Sequence, residues 1–360
     1  MTIDPKLWTQ EALSKHSVDM RQFIDFRQST LPNGMRIIEA YNASGLTFTI
    51  LPDRGMDIWT AHYKGIPLTW ISQGSPHPPD FGQTWVQQFN GGLLTTCGLT
   101  HVGPPEKDDI TGEFRDLHGR YSRLRAQNIS IEPTITGKLT ASGTVHEATL
   151  FGDQLKLTRQ YTLSLQNPTI EFRDHVQNVG DVPAPIMLLY HFNVGYPLVS
   201  AGTVLHTPNL NVYPRDAEAR KGIGTWQDYQ QAVPEYREQV FFHHLYQHNG
   251  YTTVLLQQGN LGLRLSWHTS FVPYFTQWKN IRQNIYVSGV EPGNCIPEGR
   301  NAARRNNRLQ YLQAGSEAYY NCTLTILEGE SAIQECLNEL KELQNAGTPV
   351  EGCHLEDYTK

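Results

Sequence analysis

Carboxylates, imidazoles and guanidiniums set beside glycines or at the ends of apolar runs are the groups in this chain able to move protons or hold a polar ligand. The stretch from Tyr286 to Arg300 begins as a strand, with Ile285 and Val287 alternating with Tyr286 and Ser288, and then breaks into residues rich in Pro and Gly. Glu291 stands at that junction. A carboxylate at the end of a rigid strand, followed by a loop, is well placed to act on a ligand. The plainer alternative is a solvated Glu at a strand end. His191 comes at the end of the apolar run Leu188, Leu189, Tyr190. A charged imidazolium is costly in a core, so His191 is either a neutral, hydrogen-bonded core residue or a cleft residue with a tuned pKa.

Three further stretches carry polar groups. Residues Pro52 to Asp57 follow an apolar strand and hold Arg54 and Asp57 in a turn. Arg54 could clamp a carboxylate or donate to neighbouring hydroxyls, or simply pair with Asp53. His101 lies between Gly98 and Gly103, which would allow close approach of a ligand or of backbone. His118 sits beside Gly119, with Arg120 as a second donor; the alternative is a surface turn in which Asp116 pairs with Arg120. Were His101, His118, His191 and Glu291 to converge, three imidazoles and a carboxylate would suit a transition metal. Their spacing is not a local ligand motif, and no metal is expected.

These groups must be positioned mostly by strands. Short apolar runs recur from Met35 onward, separated by turn signals at Asn33-Gly34, Gly65, Gly137 and Asn178 to Asp181. Strands are predicted over Ile37 to Ala40, Leu46 to Leu51, Thr144 to Leu150, Leu155 to Leu165, Thr169 to Gln177, Ile186 to Phe192, Thr252 to Gln257, Leu261 to Trp267 and Asn321 to Leu327. Two helices are predicted: Asp4 to His16, and Glu330 to Gln344, whose Ile333, Cys336, Leu337, Leu340 and Leu343 form a packing stripe. Residues Asp216 to Glu235 read as a polar excursion. No fixed-period repeat points to a propeller or solenoid, so a large all-β sandwich of antiparallel sheets in one domain is expected.

Composition bounds the function. The 360 residues are 39% hydrophobic and 18% charged, with a formal net charge of -6. That balance gives no basic field for nucleic acid or an anionic membrane. No apolar run is long enough to span a bilayer, and the N-terminus lacks a signal-peptide pattern. Five scattered cysteines without a CxxC pair read as free thiols in a reducing cytoplasm.

Taken in order, Leu117-His118-Gly119, then His191-Phe192-Asn193, then Glu291 with its Pro-containing loop resemble the aldose 1-epimerase (galactose mutarotase-like) superfamily. Phe275, Trp278 and the run up to Glu291, and the Asn178 to Asp181 turn, are similar too. The resemblance covers roughly residues 35 to 327, and the chain departs from it at Arg54 to Asp57 and Thr100-His101. It implies a β-supersandwich and an isomerase that interconverts sugar anomers without a cofactor. Glu291 would be the base and His191 the acid, with His118 helping to bind or polarise the sugar. Trp278, His101, Arg54, Arg120 and Asp57 would line the site, and a small sugar or sugar derivative would be the partner. A sugar-binding or sensing protein on the same fold is the rival reading. Arg54, Arg120 and Arg300 beside the site segments would favour an acidic sugar unless Asp53, Asp57, Asp116 and Glu298 neutralise them.

Overall fold

A computed structural model describes residues 9–74, 76–133 and 138–359. Two large antiparallel sheets make up most of the described residues, with a small two-stranded sheet beside them. The larger has 13 strands, and its middle runs Asp57–Tyr63, Leu94–Leu99, Ala184–Val194, Ile285–Gly293, Tyr274–Arg282, Gln239–Gln247. The smaller has eight, with Glu317–Glu328 and Thr169–Asn178 at its centre. All-β sandwich architecture is thus what the turn-punctuated apolar runs anticipated.

The Ala184–Val194 strand explains how one sheet can carry both a core and a site. All eleven of its residues are buried, as a strand covered on both faces requires. Leu188, Tyr190, Phe192 and Val194 enter the main core with Val145, Leu157, Tyr161 and Leu324 from the smaller sheet. Met187 and Leu189 point the other way, into a second cluster with Trp85 and Cys97. Side chains alternate along a strand, so His191 and Asn193 share that outer face.

Between the sheets lies a fully buried ion cluster. Arg159 donates to Asp57 Oδ1 at 2.7 Å, to Asp174 Oδ2 at 2.6 Å and to Thr96 Oγ1 at 2.9 Å. Tyr190 donates its hydroxyl to Asp174 at 2.8 Å. One guanidinium between two carboxylates leaves one negative charge in excess, and burial pushes the Asp57 carboxyl up to about 6 despite Arg159 beside it.

Several expectations shift. The first helix is Gln10–Ser14, and residues 4–8 of the expected span, like Gly137, lie outside the described residues. The strand expected to reach Leu150 ends at Ala148, because Thr149 to Asp153 close a tight turn. Glu291 is not at a strand end: its strand continues to Gly293. The last helix is Glu330–Ala346, and Ile333, Cys336 and Leu340 pack on Leu255. The polar excursion holds a short helix, Ala217–Lys221. Among the described residues, no helix is long and apolar enough to cross a membrane.

Candidate active site

The His191 and Glu291 strands are neighbours, registered by Phe192 opposite Val290 and Leu189 opposite Gly293. Both side chains project onto the outer face. His191 Nε2 stands 3.2 Å from Glu291 Oε1, with the side chains 8% and 3% exposed. Residue 289, one step back on the Glu291 face, is glycine; a Cβ there would overlap Glu291 Oε1 and lie 2.8 Å from Trp278 Cβ. On the adjoining strand Thr276 is the register partner of Glu291.

Aromatic rings wall this pair. Trp278 lies 5.3 Å from the His191 ring and Phe89 lies 5.9 Å from it, centroid to centroid. Trp70 meets both Trp278 and Phe89, and Trp85 stacks on Phe89 at 4.5 Å. His118 faces His191 edge-on at 6.2 Å, with Trp85 5.0 Å away. The loop bearing His118 is pinned to the sheet: Gly98 N donates to His118 O, and His118 N donates to Gly103 O. Gly119 makes this possible, since a Cβ there would meet Gly98 O at 2.5 Å and His101 O at 2.6 Å. At the rim, Trp278 Nε1 donates to Glu238 Oε2 at 2.7 Å, and Arg215 pairs with Glu238 at 3.3 Å.

Burial governs the electrostatics. It pushes the Glu291 carboxyl well above its ordinary range and lowers His191 to about 4 and His118 to about 3. Each charged form is disfavoured, so the contacting pair favours holding one proton between its two members. Several buried polar atoms here make no hydrogen bond within the protein: His191 Nδ1, His118 Nδ1, Asn193 Oδ1 and Thr276 Oγ1. Unsatisfied buried groups are rare and costly, and a cluster of them beside a contacting acid–base pair matches what a polyhydroxylated ligand would satisfy.

The other residues singled out in the sequence lie apart from the pair. His101 is fully buried, and its Nε2 is 2.9 Å from Pro104 O. The convergence of His101 with His118, His191 and Glu291 that would have suited a metal does not form, and among the described residues no group of three or more candidate ligands is present. Asp57 belongs to the Arg159 cluster on the opposite face. Arg54 is buried and donates to Gln88 O at 2.8 Å and to His77 O at 3.4 Å, tying down the segment that carries Trp85 and Phe89. Arg120 donates to Ala148 O, and Arg300 is held by Asp108 and Asp153 at 3.2 and 3.3 Å. A cavity of about 370 Å³ lies behind the His118 loop, lined by His101, Asp116, Gly119 and Arg120 but by neither His191 nor Glu291. The contacting imidazole and carboxyl lie on the His191–Glu291 face, outside this cavity. Sequence reading missed Trp70, Trp85, Phe89, Arg215 and Glu238, which no local spacing marks.

Known proteins resemble this chain in family and in fold. The profile of a family described as "Domain of unknown function (DUF4432)" matches residues 32–326. No curated protein matches the chain. Among solved structures, a Klebsiella pneumoniae protein provisionally named an aldose 1-epimerase superposes with a TM-score of 0.84 at 24% identity, covering 90% of this chain and 88% of its own. A galactose mutarotase-like protein from Clostridium acetobutylicum gives 0.59 at 14% identity, over 85% of this chain and 99% of its own. Galactose 1-epimerase from Lactobacillus acidophilus gives 0.58 at 15%, over 85% and 99%. The chain shares its fold with these structures.

Proposed function

From a chain that belongs to the family described as a domain of unknown function, DUF4432, and that has the mutarotase-like fold, we propose an isomerase interconverting the α and β anomers of a sugar. The observation that carries this reading is the buried His191–Glu291 contact, walled by aromatic rings and surrounded by polar atoms without partners. Whichever member lacks the shared proton takes the hydrogen of the anomeric hydroxyl. The other member gives its proton to the ring oxygen. The C1–O5 bond breaks as the C1 carbonyl forms, C1 turns about its bond to C2, and closure on the other face returns both protons. Base and acid exchange roles between the two directions, so one proton on the pair serves both.

His118 is placed to hydrogen-bond the sugar beside His191, and Trp278 and Trp70 supply the apolar faces on which a pyranose packs. The substrate we propose is neutral. Arg300 is neutralised by Asp108 and Asp153, Arg120 bonds to a backbone carbonyl, and the mouth presents Glu238 with Arg215 rather than free cations.

Anomer exchange of neutral pyranoses, followed by NMR, tests the reading. Wild type should accelerate exchange, while Glu291→Gln and His191→Asn should each lose about 10²–10⁴-fold with the fold intact. Undiminished exchange in Glu291→Gln would overturn it. A wild type that binds a sugar but never accelerates exchange would establish the binding-protein reading instead.

A further inference from the structure

Asn193 follows His191 by two residues on one strand, so both side chains project from its outer face. Asn193 is fully buried. Its Nδ2 donates to Gly92 O at 2.9 Å and to His191 O at 3.0 Å. Those two carbonyls use both hydrogens of the amide nitrogen. They also fix which way the amide faces, because an oxygen in the same place would meet two acceptors. Oδ1 is left as an acceptor without a hydrogen bond in the protein. Opposite Asn193 on the Glu291 strand is Gly289, which has no side chain to offer it a donor.

His191 Nδ1 is the matching orphan on the same face. Burial lowers this ring to about 4, while the Asn193 side chain and the carbonyl of His191 itself, both acceptors at the ring, work to raise it. Thr95, opposite His191 on the other neighbouring strand, gives its hydroxyl hydrogen to Gly91 O at 3.0 Å. The other ring nitrogen, Nε2, meets Glu291 Oε1. We propose that Asn193 is a positioning residue: its Oδ1 takes the hydrogen of His191 Nδ1 and so fixes the tautomer in which Nε2 turns its lone pair to Glu291. The neutral ring then accepts at Nε2, and the shared proton of the resting pair stands on Glu291. Its consequence for catalysis rests on the isomerase reading. His191 Nε2 takes the hydrogen of the anomeric hydroxyl while Glu291 gives its proton to the ring oxygen, and closure returns each proton to its origin. Nδ1 keeps its hydrogen throughout. His118 Nδ1 and Thr276 Oγ1 remain for the hydroxyls of the sugar.

Nitrogen-15 NMR of the imidazoles in the full-length protein tests this without turnover, the His191 signals being those lost in His191→Asn. Near neutral pH, wild type should carry hydrogen on Nδ1 and none on Nε2. Asn193→Leu, similar in volume but without an acceptor, should move hydrogen to Nε2 and lower kcat about 10- to 100-fold with little change in KM, the scale on which orienting partners act. Asn193→Asp, which keeps an acceptor, should keep the hydrogen on Nδ1. A wild-type ring with its hydrogen on Nε2, or an Asn193→Leu ring unchanged from wild type, would overturn the proposal. Should Asn193→Leu fail to fold, the wild-type spectrum decides alone. A wild type with hydrogen on Nδ1 but no anomer exchange would refute the isomerase reading and uphold the role of Asn193.

Discussion

Gly289 leaves vacant the volume that the Glu291 carboxylate fills: a Cβ at 289 would overlap Oε1. The atom it meets is the far end of a side chain that can swing away, although Trp278 Cβ at 2.8 Å adds some crowding. Gly289→Ala should therefore fold and yet displace the carboxylate from His191. Displacements on the order of 1 Å in a reacting group cost about 10²-fold in rate. The expected result is a loss of that size in kcat, with near-native circular dichroism and little change in KM. Full activity in this variant would show that the carboxylate's position is not critical.

Acid should destabilise the fold. Burial lowers His101 and His191 to about 4, and His118 and His243 to about 3, against an ordinary 6.5. Folded pKa values below the unfolded value mean that the unfolded chain binds more protons between pH 6.5 and about 4. Stability is then full above pH 6.5 and falls as the pH drops through that window, by up to about 1.4 kcal/mol per pH unit for each histidine. Glu291 and Asp57, both raised by burial, the latter to about 6, work in the opposite sense above their ordinary values and offset about two of the four. Urea midpoints should fall from pH 7 to pH 5, and His243→Gln should flatten that slope. An unchanged midpoint over this range would refute the neutral, buried histidines.

Asp57 should matter for folding rather than for the sugar. Arg159→Met leaves Asp57 and Asp174 as buried carboxylates without their cation, and such losses cost about 3–5 kcal/mol. Asp57→Asn should lower the urea midpoint while leaving KM unchanged. A raised KM at native stability would instead place Asp57 in the site.

Glu291, His191 and His118 were singled out in the sequence by turn signals nearby and by the resemblance, and the structure brings their side chains together, although the strands of Glu291 and His191 run on to Gly293 and Val194. Their neighbours in sequence were poor guides to their partners in space. Asp53 adjoins Arg54 yet pairs with Arg36 at 2.6 Å. Glu298 lies two residues before Arg300 yet pairs with Arg308. Asp116 reaches Arg123 rather than Arg120. All three pairs lie in turns or irregular segments or at their edge, where no regular spacing sets the direction of a side chain and the partner comes from another part of the chain. The Leu94–Leu99 strand escaped notice for a related reason: all six residues are buried, two are threonine and one glycine, and no alternation marks it. The aromatic wall was invisible because Trp70, Trp85 and Phe89 converge only when a long irregular segment folds back over the sheet.

The Ala184–Val194 strand joins Leu94–Leu99 on one side to Ile285–Gly293 on the other, segments about a hundred positions away in each direction. During synthesis His118 and His191 leave the ribosome well before Glu291 exists, so the nascent chain carries no working half-site. Closing loops of that length precedes any reward from the contacts they bring, and such topologies fold slowly. Until the Glu291 segment arrives, the outer face of the Ala184–Val194 strand and its free edge stand open to pairing with other chains. Overexpression should therefore load chaperones in proportion to translation rate, and slower synthesis at low temperature should raise the soluble yield.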